Sequence, residues 1–235
     1  MTTEAALVLE EVDEVGSTSE ALKQRLGDGE RALLARRQTA GRGRMGRAWQ
    51  TGDGNLFLSV LLRPAAPIAP GHWSLLAAVA LAETVRRFVP ETQALTLKWP
   101  NDLLLDGGKL AGILLDAGDD GAPWLIAGFG VNLVWAPEVP GRSTACLAPH
   151  APPPPRTMAA ALLEVLDAWR TRYGREGFAP VRDGWLAFGP RPGAAIAAQW
   201  GGRAVEGRFR GIGSDGALLL DGPAGPLTVT SGEVL

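Results

Sequence analysis

The chain has a single cysteine, Cys146, in 235 residues. One thiol excludes an internal disulfide framework and a zinc site built on cysteines. Histidine is nearly as scarce. His72 and His150 are the only two, and they lie far apart in the sequence, so neither a histidine-based metal centre nor a histidine triad is expected. No run of 18 apolar residues occurs, and no membrane-spanning helix is expected. The stretch from Met1 to Glu11 has no basic segment leading into an apolar core, so no secretory signal is expected. Internal repeats are absent. Together these absences point to a soluble, cytoplasmic protein.

Hydrophobic residues make up 46% of the chain, enough for a sizeable core and against disorder. The length fits one large domain, or one with a small companion. The formal net charge is −2, yet one window is strongly cationic. Arg31, Arg36, Arg37, Arg42, Arg44 and Arg47 fall between Glu30 and Asp53 with no acid among them. A local cationic excess on an acidic chain calls for a local anion. Gly41, Gly43 and Gly46 punctuate the same window. Glycines free the backbone and let N–H groups approach an anion. Their spacing matches the dinucleotide fingerprint, which needs a strand before it and a helix after it. Arg37–Ala40 and Trp49–Asn55 supply neither, so the alternatives are an anion-binding loop and a solvated arginine loop.

Along the chain, Leu7–Val15 reads as a strand. A helix follows, with Ser17 and Glu20 at capping-box spacing. Ala32–Ala35 and Asn55–Leu62 read as buried strands, and Pro64–Pro70 as a proline-rich turn. Trp73–Val89 is a mostly buried helix. Leu95–Lys98, Asp102–Asp106 and Lys109–Asp116 are strands, the last two joined by Gly107-Gly108 as a hairpin. Trp124–Leu133 is a strand in which Gly128 and Gly130 mark close approach by a ligand. Pro152–Pro155 is a surface connection, followed by helices over Met158–Tyr173 and Phe178–Phe188. The Gly189–Gly193 break predicts a boundary, with a domain over 1–189 and a second over 190–235. Short strands at regular spacing make the second a small antiparallel barrel.

Two further clusters carry chemistry. Lys109 opens an apolar strand, and alternation puts it on one face with Ala111, Ile113 and Leu115. It either points into a cavity among them or snorkels to water. Ahead of it, Trp99-Pro100-Asn101-Asp102 is either an ordinary turn or the polar edge of a pocket. In Gly128-Phe129-Gly130-Val131-Asn132, the asparagine needs hydrogen bonds if buried. It closes a turn or contacts a ligand.

Taken in order, these stretches resemble biotin protein ligases. The matching pieces are Ser17-Thr18-Ser19, Gln38, Gly41–Trp49, Lys98–Asp102, Lys109–Leu114, Gly128–Asn132 and the final Ser231–Val234. The resemblance covers about residues 8 to 235. It implies an α/β (α+β) fold, with a mixed-sheet catalytic domain of the biotin/lipoate ligase type and a C-terminal SH3-like barrel. It implies that biotin and ATP, with Mg2+, give biotinyl-5′-AMP, and that a lysine of a biotin carboxyl carrier protein domain then takes the biotin. Lys109, Arg42 and Arg44 are implied as catalytic. Ser17, Thr18, Ser19, Gln38, Gly41, Gly43, Trp49, Gly112, Gly128 and Gly130 are implied around biotin and the adenylate. Asn101, Asp102 and Asn132 are implied on the ATP side, with Mg2+ held mainly by nucleotide phosphates.

A glycine-rich loop with that much like charge is expected to be mobile when empty and to order over the ligand. The chain departs from the family at Met45, where arginine is common, at Ser19, where asparagine is, and at Asp116, where glutamate is. The sixteen residues before Ser17 are too few for a helix-turn-helix domain, so no DNA binding is expected. A homodimer is compatible with the sequence. The rival readings are a lipoate ligase or octanoyl transferase, and a non-enzymatic nucleotide or nucleic-acid binder.

Overall fold

The structure, a computed structural model, describes residues 7–65 and 69–235. Most of the Met1–Glu11 stretch and the middle of the Pro64–Pro70 turn lie outside those residues. A seven-stranded sheet is built from β1 (Val8–Val15), β2 (Arg31–Gln38), β3 (Leu56–Leu62), β4 (Leu95–Lys98), β5 (Asp102–Leu105), β6 (Gly108–Asp119) and β7 (Pro123–Val131). Its strand order is β1-β2-β3-β7-β6-β5-β4. β1 and β2 pair in parallel and every other neighbour is antiparallel, so the sheet is mixed.

The two faces of this sheet are covered unequally. Successive strand side chains point to opposite faces. Ala32, Leu34, Leu58 and Val60 therefore join one large core with α2 (Pro70–Arg86), α3 (Pro155–Glu176) and α4 (Ala179–Phe188). The alternate residues Leu33 and Leu61, with Ile126, pack instead on Leu22 of α1 (Thr18–Lys23). α1 is only six residues long and covers one end of that face. Beyond it the face carries Ser59, Gly128, Gly130 and Gly112, side chains too small to fill the space. The site lies on this thinly covered floor.

A second, antiparallel sheet has the order β11-β10-β9-β8-β12. Its strands are β8 (Ala195–Trp200), β9 (Arg203–Ile212), β10 (Leu218–Gly222), β11 (Gly225–Val229) and β12 (Glu233–Val234). Phe209, Leu218, Leu220 and Val229 merge with the main core. Polar contacts also tie it down. Trp99 Nε1 donates to the Gly216 carbonyl at 3.0 Å. His72 bonds the Tyr173 hydroxyl at 3.0 Å and the Ser214 carbonyl at 2.7 Å. Among the described residues, no helix is long and apolar enough to cross a membrane.

Three local expectations need correction. Ser17 occupies the N-cap of α1 but makes no side-chain cap bond, and the Glu20 carboxylate, which would complete a capping box, is drawn to Lys23 and Arg42 instead. The β5–β6 turn residues are Asp106 and Gly107, with φ of 49° and 82°. They form the left-handed pair that a two-residue hairpin needs, and Gly108 already pairs with Leu105. The third correction concerns Lys109. The β5–β6 register shifts between Leu103 and Leu104, with Ala111 opposite Leu103 and Lys109 opposite Leu104. This bulge at Leu110 breaks the alternation. Lys109 therefore shares its face with Gly112, whose Cβ, if it had one, would lie 3.4 Å from Lys109 Nζ. Ala111 and Ile113 point the other way, into the core.

Candidate active site

A cavity of about 780 Å3 opens over the thinly covered face. Its polar end is built by α1 and β3. Thr18 Oγ1 lies 2.7 Å from Ser59 Oγ, and Ser19 Oγ lies 2.9 Å from the same atom. The Thr18 amide and hydroxyl both donate to Gln38 Oε1, at 2.8 and 3.1 Å. Ser17, with its hydroxyl free of capping, lines the same end. Ser59 was not foreseen. It sits in Leu56–Leu62, all of whose residues are buried, and a lone hydroxyl there looks like core filler. The one available signal was that a buried polar atom must find a partner.

The floor is glycine, and the atoms that approach it here are the protein's own. A Cβ on Gly130 would fall 2.4 Å from the Trp49 indole, and one on Gly112 would fall 2.9 Å from it. A Cβ on Gly128 would lie 2.7 Å from Ser19 Oγ. The glycines make room for the protein's own Trp49 and Ser19. Trp49 thus lies flat on β6 and β7, its Nε1 buried without a hydrogen-bond partner among the described residues.

The roof is the arginine segment, folded as a hairpin. Gly43 N donates to the Arg47 carbonyl at 2.7 Å, and Trp49 N to the Gly41 carbonyl at 2.9 Å. The tip, Met45-Gly46, has φ of 57° and 72°, the left-handed pair of a tight hairpin turn, which glycine adopts freely and methionine does not. Met45 is 81% exposed. Gly41 is the one predicted site residue that does not line the main cavity. It faces a smaller neighbouring pocket, and a Cβ there would meet the Trp49 carbonyl at 2.7 Å.

Three ties hold the hairpin. Arg42 pairs with Glu20 of α1. Glu20 also takes Lys23, which reaches Asp116 on β6 at 3.2 Å. Arg44 donates to Asn101 Oδ1 at 3.1 Å, while Asn101 Nδ2 donates to the Ile113 carbonyl at 2.7 Å. Asn101 is thus spent on holding Arg44 to β6. Burial draws the Arg44 guanidinium below its ordinary pKa, against the pull of Asp102 and Glu233. Arg47 grips both carboxylate oxygens of Glu233 on β12, and Arg142 stands 3.7 Å from the same group. The Arg47 hydrogen bond, followed by other effects, holds Glu233 below the usual carboxylate range. Arg47 and Glu233 were absent from the predicted site.

Beneath the roof, Lys109 Nζ lies 2.7 Å from Asp102 Oδ1 and 5.7 Å from the centre of the Trp49 ring. Asn132 is buried. Its Nδ2 donates to the carbonyls of Lys109 and Ala145 at 3.3 and 3.0 Å, pinning the loop after β7 beside Lys109. Gly43, Asp102 and Asn132 line the cavity along with Arg42, Arg44 and Lys109. The chamber is therefore polar at one end and cationic at the other, with an indole between. Such a chamber suits a ligand with a hydrogen-bonding head, an apolar middle and an anionic tail.

Comparison with known proteins agrees. A family described as "Biotin/lipoate A/B protein ligase family" matches residues 13–119, and "Biotin protein ligase C terminal domain" matches residues 193–235. A biotin–[acetyl-CoA-carboxylase] ligase of Paracoccus denitrificans is 37% identical over 93% of this chain and 95% of its own length. A ligase of the same name from Mycobacterium tuberculosis is 36% identical over 97% of this chain and 88% of its own. Among solved structures, the biotin protein ligase from Aquifex aeolicus in complex with biotin and ATP superposes with a TM-score of 0.84. That structure is 26% identical and covers 97% of both chains. With relatives at 37% and 36% identity matched over nearly their whole length, the chain belongs to the biotin protein ligases of the biotin/lipoate A/B protein ligase family.

Proposed function

We propose that this chain joins biotin to ATP, giving biotinyl-5′-AMP and pyrophosphate, and then passes biotin to a lysine of a biotin carboxyl carrier protein domain in the cytoplasm. The observation that carries the choice of acid is the hydroxyl cluster. Gln38 Oε1 only accepts, so the Thr18 hydroxyl proton goes to it and Thr18 Oγ1 accepts from Ser59. Ser59 Oγ then accepts from Ser19. The hydroxyl protons run one way and leave lone pairs facing the cavity. Gln38 Nε2 is left as a donor, without a protein partner among the described residues. Acceptors beside one donor complement the N–H groups and carbonyl of a ureido ring. A dithiolane has neither, and would leave those buried groups unpaired.

At the other end, reaction joins a carboxylate to a triphosphate, and their repulsion must be neutralised. Lys109 is a compact charge for one oxygen, and Arg44 is a fork for phosphate oxygens. Arg42 would leave Glu20 to join them. Asp102 holds Lys109 and Asn101 holds Arg44, so both act on the ATP side by positioning. Trp49 shields the middle of the chamber. In the transfer step the lysine nitrogen attacks the acyl carbon, the carbon–oxygen bond to phosphate breaks, and AMP leaves with the electron pair. Among the described residues no cluster of three metal-ligating side chains exists, and Asp102 and Glu233 are engaged by cations. A magnesium ion would therefore ride on the nucleotide phosphates and damp their charge. Residues 1–189 form the catalytic unit in this reading, with 190–235 supplying Glu233.

The test is pyrophosphate release with biotin or with lipoate as the acid. Release with biotin alone is expected. Release with lipoate alone would overturn the choice of substrate, and salt-sensitive DNA binding with no release from either acid would overturn the enzymatic reading.

A further inference from the structure

Lysine is used only three times in this chain, at Lys23, Lys98 and Lys109. Nearly every other basic side chain is an arginine, whose guanidinium stays protonated and is not an acyl acceptor. Two of the three lysines are engaged. Lys23 is paired with Glu20 and Asp116, and Lys109 with Asp102. The Lys98 side chain has no ion pair or hydrogen bond among the described residues, although it lines the main cavity.

Its placement follows from register. On β4, Leu95 and Leu97 are buried in the core, which sends Lys98 to the opposite, cavity face. Lys98 is directly cross-strand from Asp102, and directly opposed side chains stand about 5 Å apart at Cβ. Asp102 in turn holds the Lys109 ammonium. Lys98 and Lys109 therefore flank one carboxylate, and both line the chamber in which an acyl group would rest its phosphate end on Lys109.

We propose that Lys98 is a self-acylation site, taking the biotinyl group from the adenylate when no carrier is engaged. The proposal rests on the ligase reading above. The Nζ lone pair attacks the acyl carbon and an amide C–N bond forms. The bond from that carbon to the phosphate oxygen breaks, and AMP leaves with the electron pair. The proton shed by Nζ passes to Asp102 and on to solvent. The groups facing Lys98 are Asp102 and Glu233, which favour its charged form, and Lys109 and Arg142, which oppose it. Burial outweighs them and pulls the Lys98 ammonium below its ordinary pKa, which enlarges the fraction of free amine.

The full chain is incubated with biotin, ATP and magnesium, with and without a biotin carboxyl carrier domain. Pyrophosphate is measured in the same samples, and the chain is mapped by peptide mass spectrometry. Expected is biotin on Lys98 exceeding that on Lys23 and Lys109 combined, and suppressed when the carrier domain is present. Pyrophosphate release with Lys98 unmodified overturns the inference, as does label spread evenly over the three lysines and the N-terminal amine. No pyrophosphate at all overturns the ligase reading itself. In Lys98→Arg, label per adenylate formed is expected to fall by more than half; label persisting elsewhere at the same yield removes Lys98 as the acceptor.

Discussion

Arg47 and Glu233 lie 186 positions apart and meet across the cavity mouth, with the guanidinium fork on both carboxylate oxygens. The pair clips the arginine hairpin to the second sheet. It is partly exposed, at 40% and 28% for the two side chains, so screening keeps its worth to about 0.5 kcal/mol. Glu233→Gln is expected to raise amide exchange at Gly43 and Trp49 about twofold at neutral pH. Unchanged exchange would show that the clip holds nothing. The sign of its pH dependence follows from the lowered Glu233 pKa. The contribution is fully present above the ordinary glutamate value of about 4.3, and is lost as pH falls through the lower folded value. The difference between wild type and Glu233→Gln should therefore persist at neutrality and close only in acid.

Ser59 joins Thr18 to Ser19 at the polar end. Ser59→Ala removes the middle of that chain without adding bulk. Loss of one hydrogen-bond link among buried groups costs about 1–3 kcal/mol. The KM for biotin should rise about tenfold, with KM for ATP nearly unchanged. Equal effects on both would place Ser59 in the framework and not at the biotin end.

Lys109→Ala removes the compact charge opposite Asp102. Adenylate synthesis should fall by about two to three orders of magnitude, the usual cost of losing one such electrostatic contact. Far-UV circular dichroism should be unchanged. Near-normal turnover would remove Lys109 from the mechanism.

Arg44 and Asn101 form one device, since Asn101 spends both ends of its amide on Arg44 and the Ile113 carbonyl. Arg44→Gly should let the adenylate escape and label lysines of bystander proteins. Asn101→Ala keeps the charge but frees it, and should give a smaller leak. A leak from Asn101→Ala as large as that from Arg44→Gly would show that position matters more than charge.

Much of this site was legible because its residues cluster in short runs. Thr18, Gln38, Arg44 and Lys109 are each named by the sequence reading, and they line one cavity. The failures have distinct physical causes. Strict alternation misplaced the neighbours of Lys109, because a bulge leaves no signature in the residue pattern when the extra residue is an ordinary Leu110. Ser59 was hidden by its apolar neighbours. Gly128 and Gly130 did mark close approach, but composition could not say that the approaching atoms belong to Ser19 and Trp49. The Arg47–Glu233 pair depends on how two sheets dock, which no local window contains.

That glycine floor yields the sharpest steric prediction. A methyl group on Gly130 would sit 2.4–2.7 Å from three indole atoms of Trp49, well inside contact distance. The backbone of β7 cannot yield, because Gly130 pairs with both Phe57 and Gly112. The indole must therefore lift, and the hairpin that carries it lifts as well. Gly130→Ala should shift Trp49 fluorescence to the red as the ring meets water, and should hasten adenylate release. Trp49→Ala in the same background removes the clash. If the ring is the sole obstacle, Gly130→Ala adds no further release to Trp49→Ala. Additive effects would mean that the glycine serves the ligand directly, as its place in the strand first suggested.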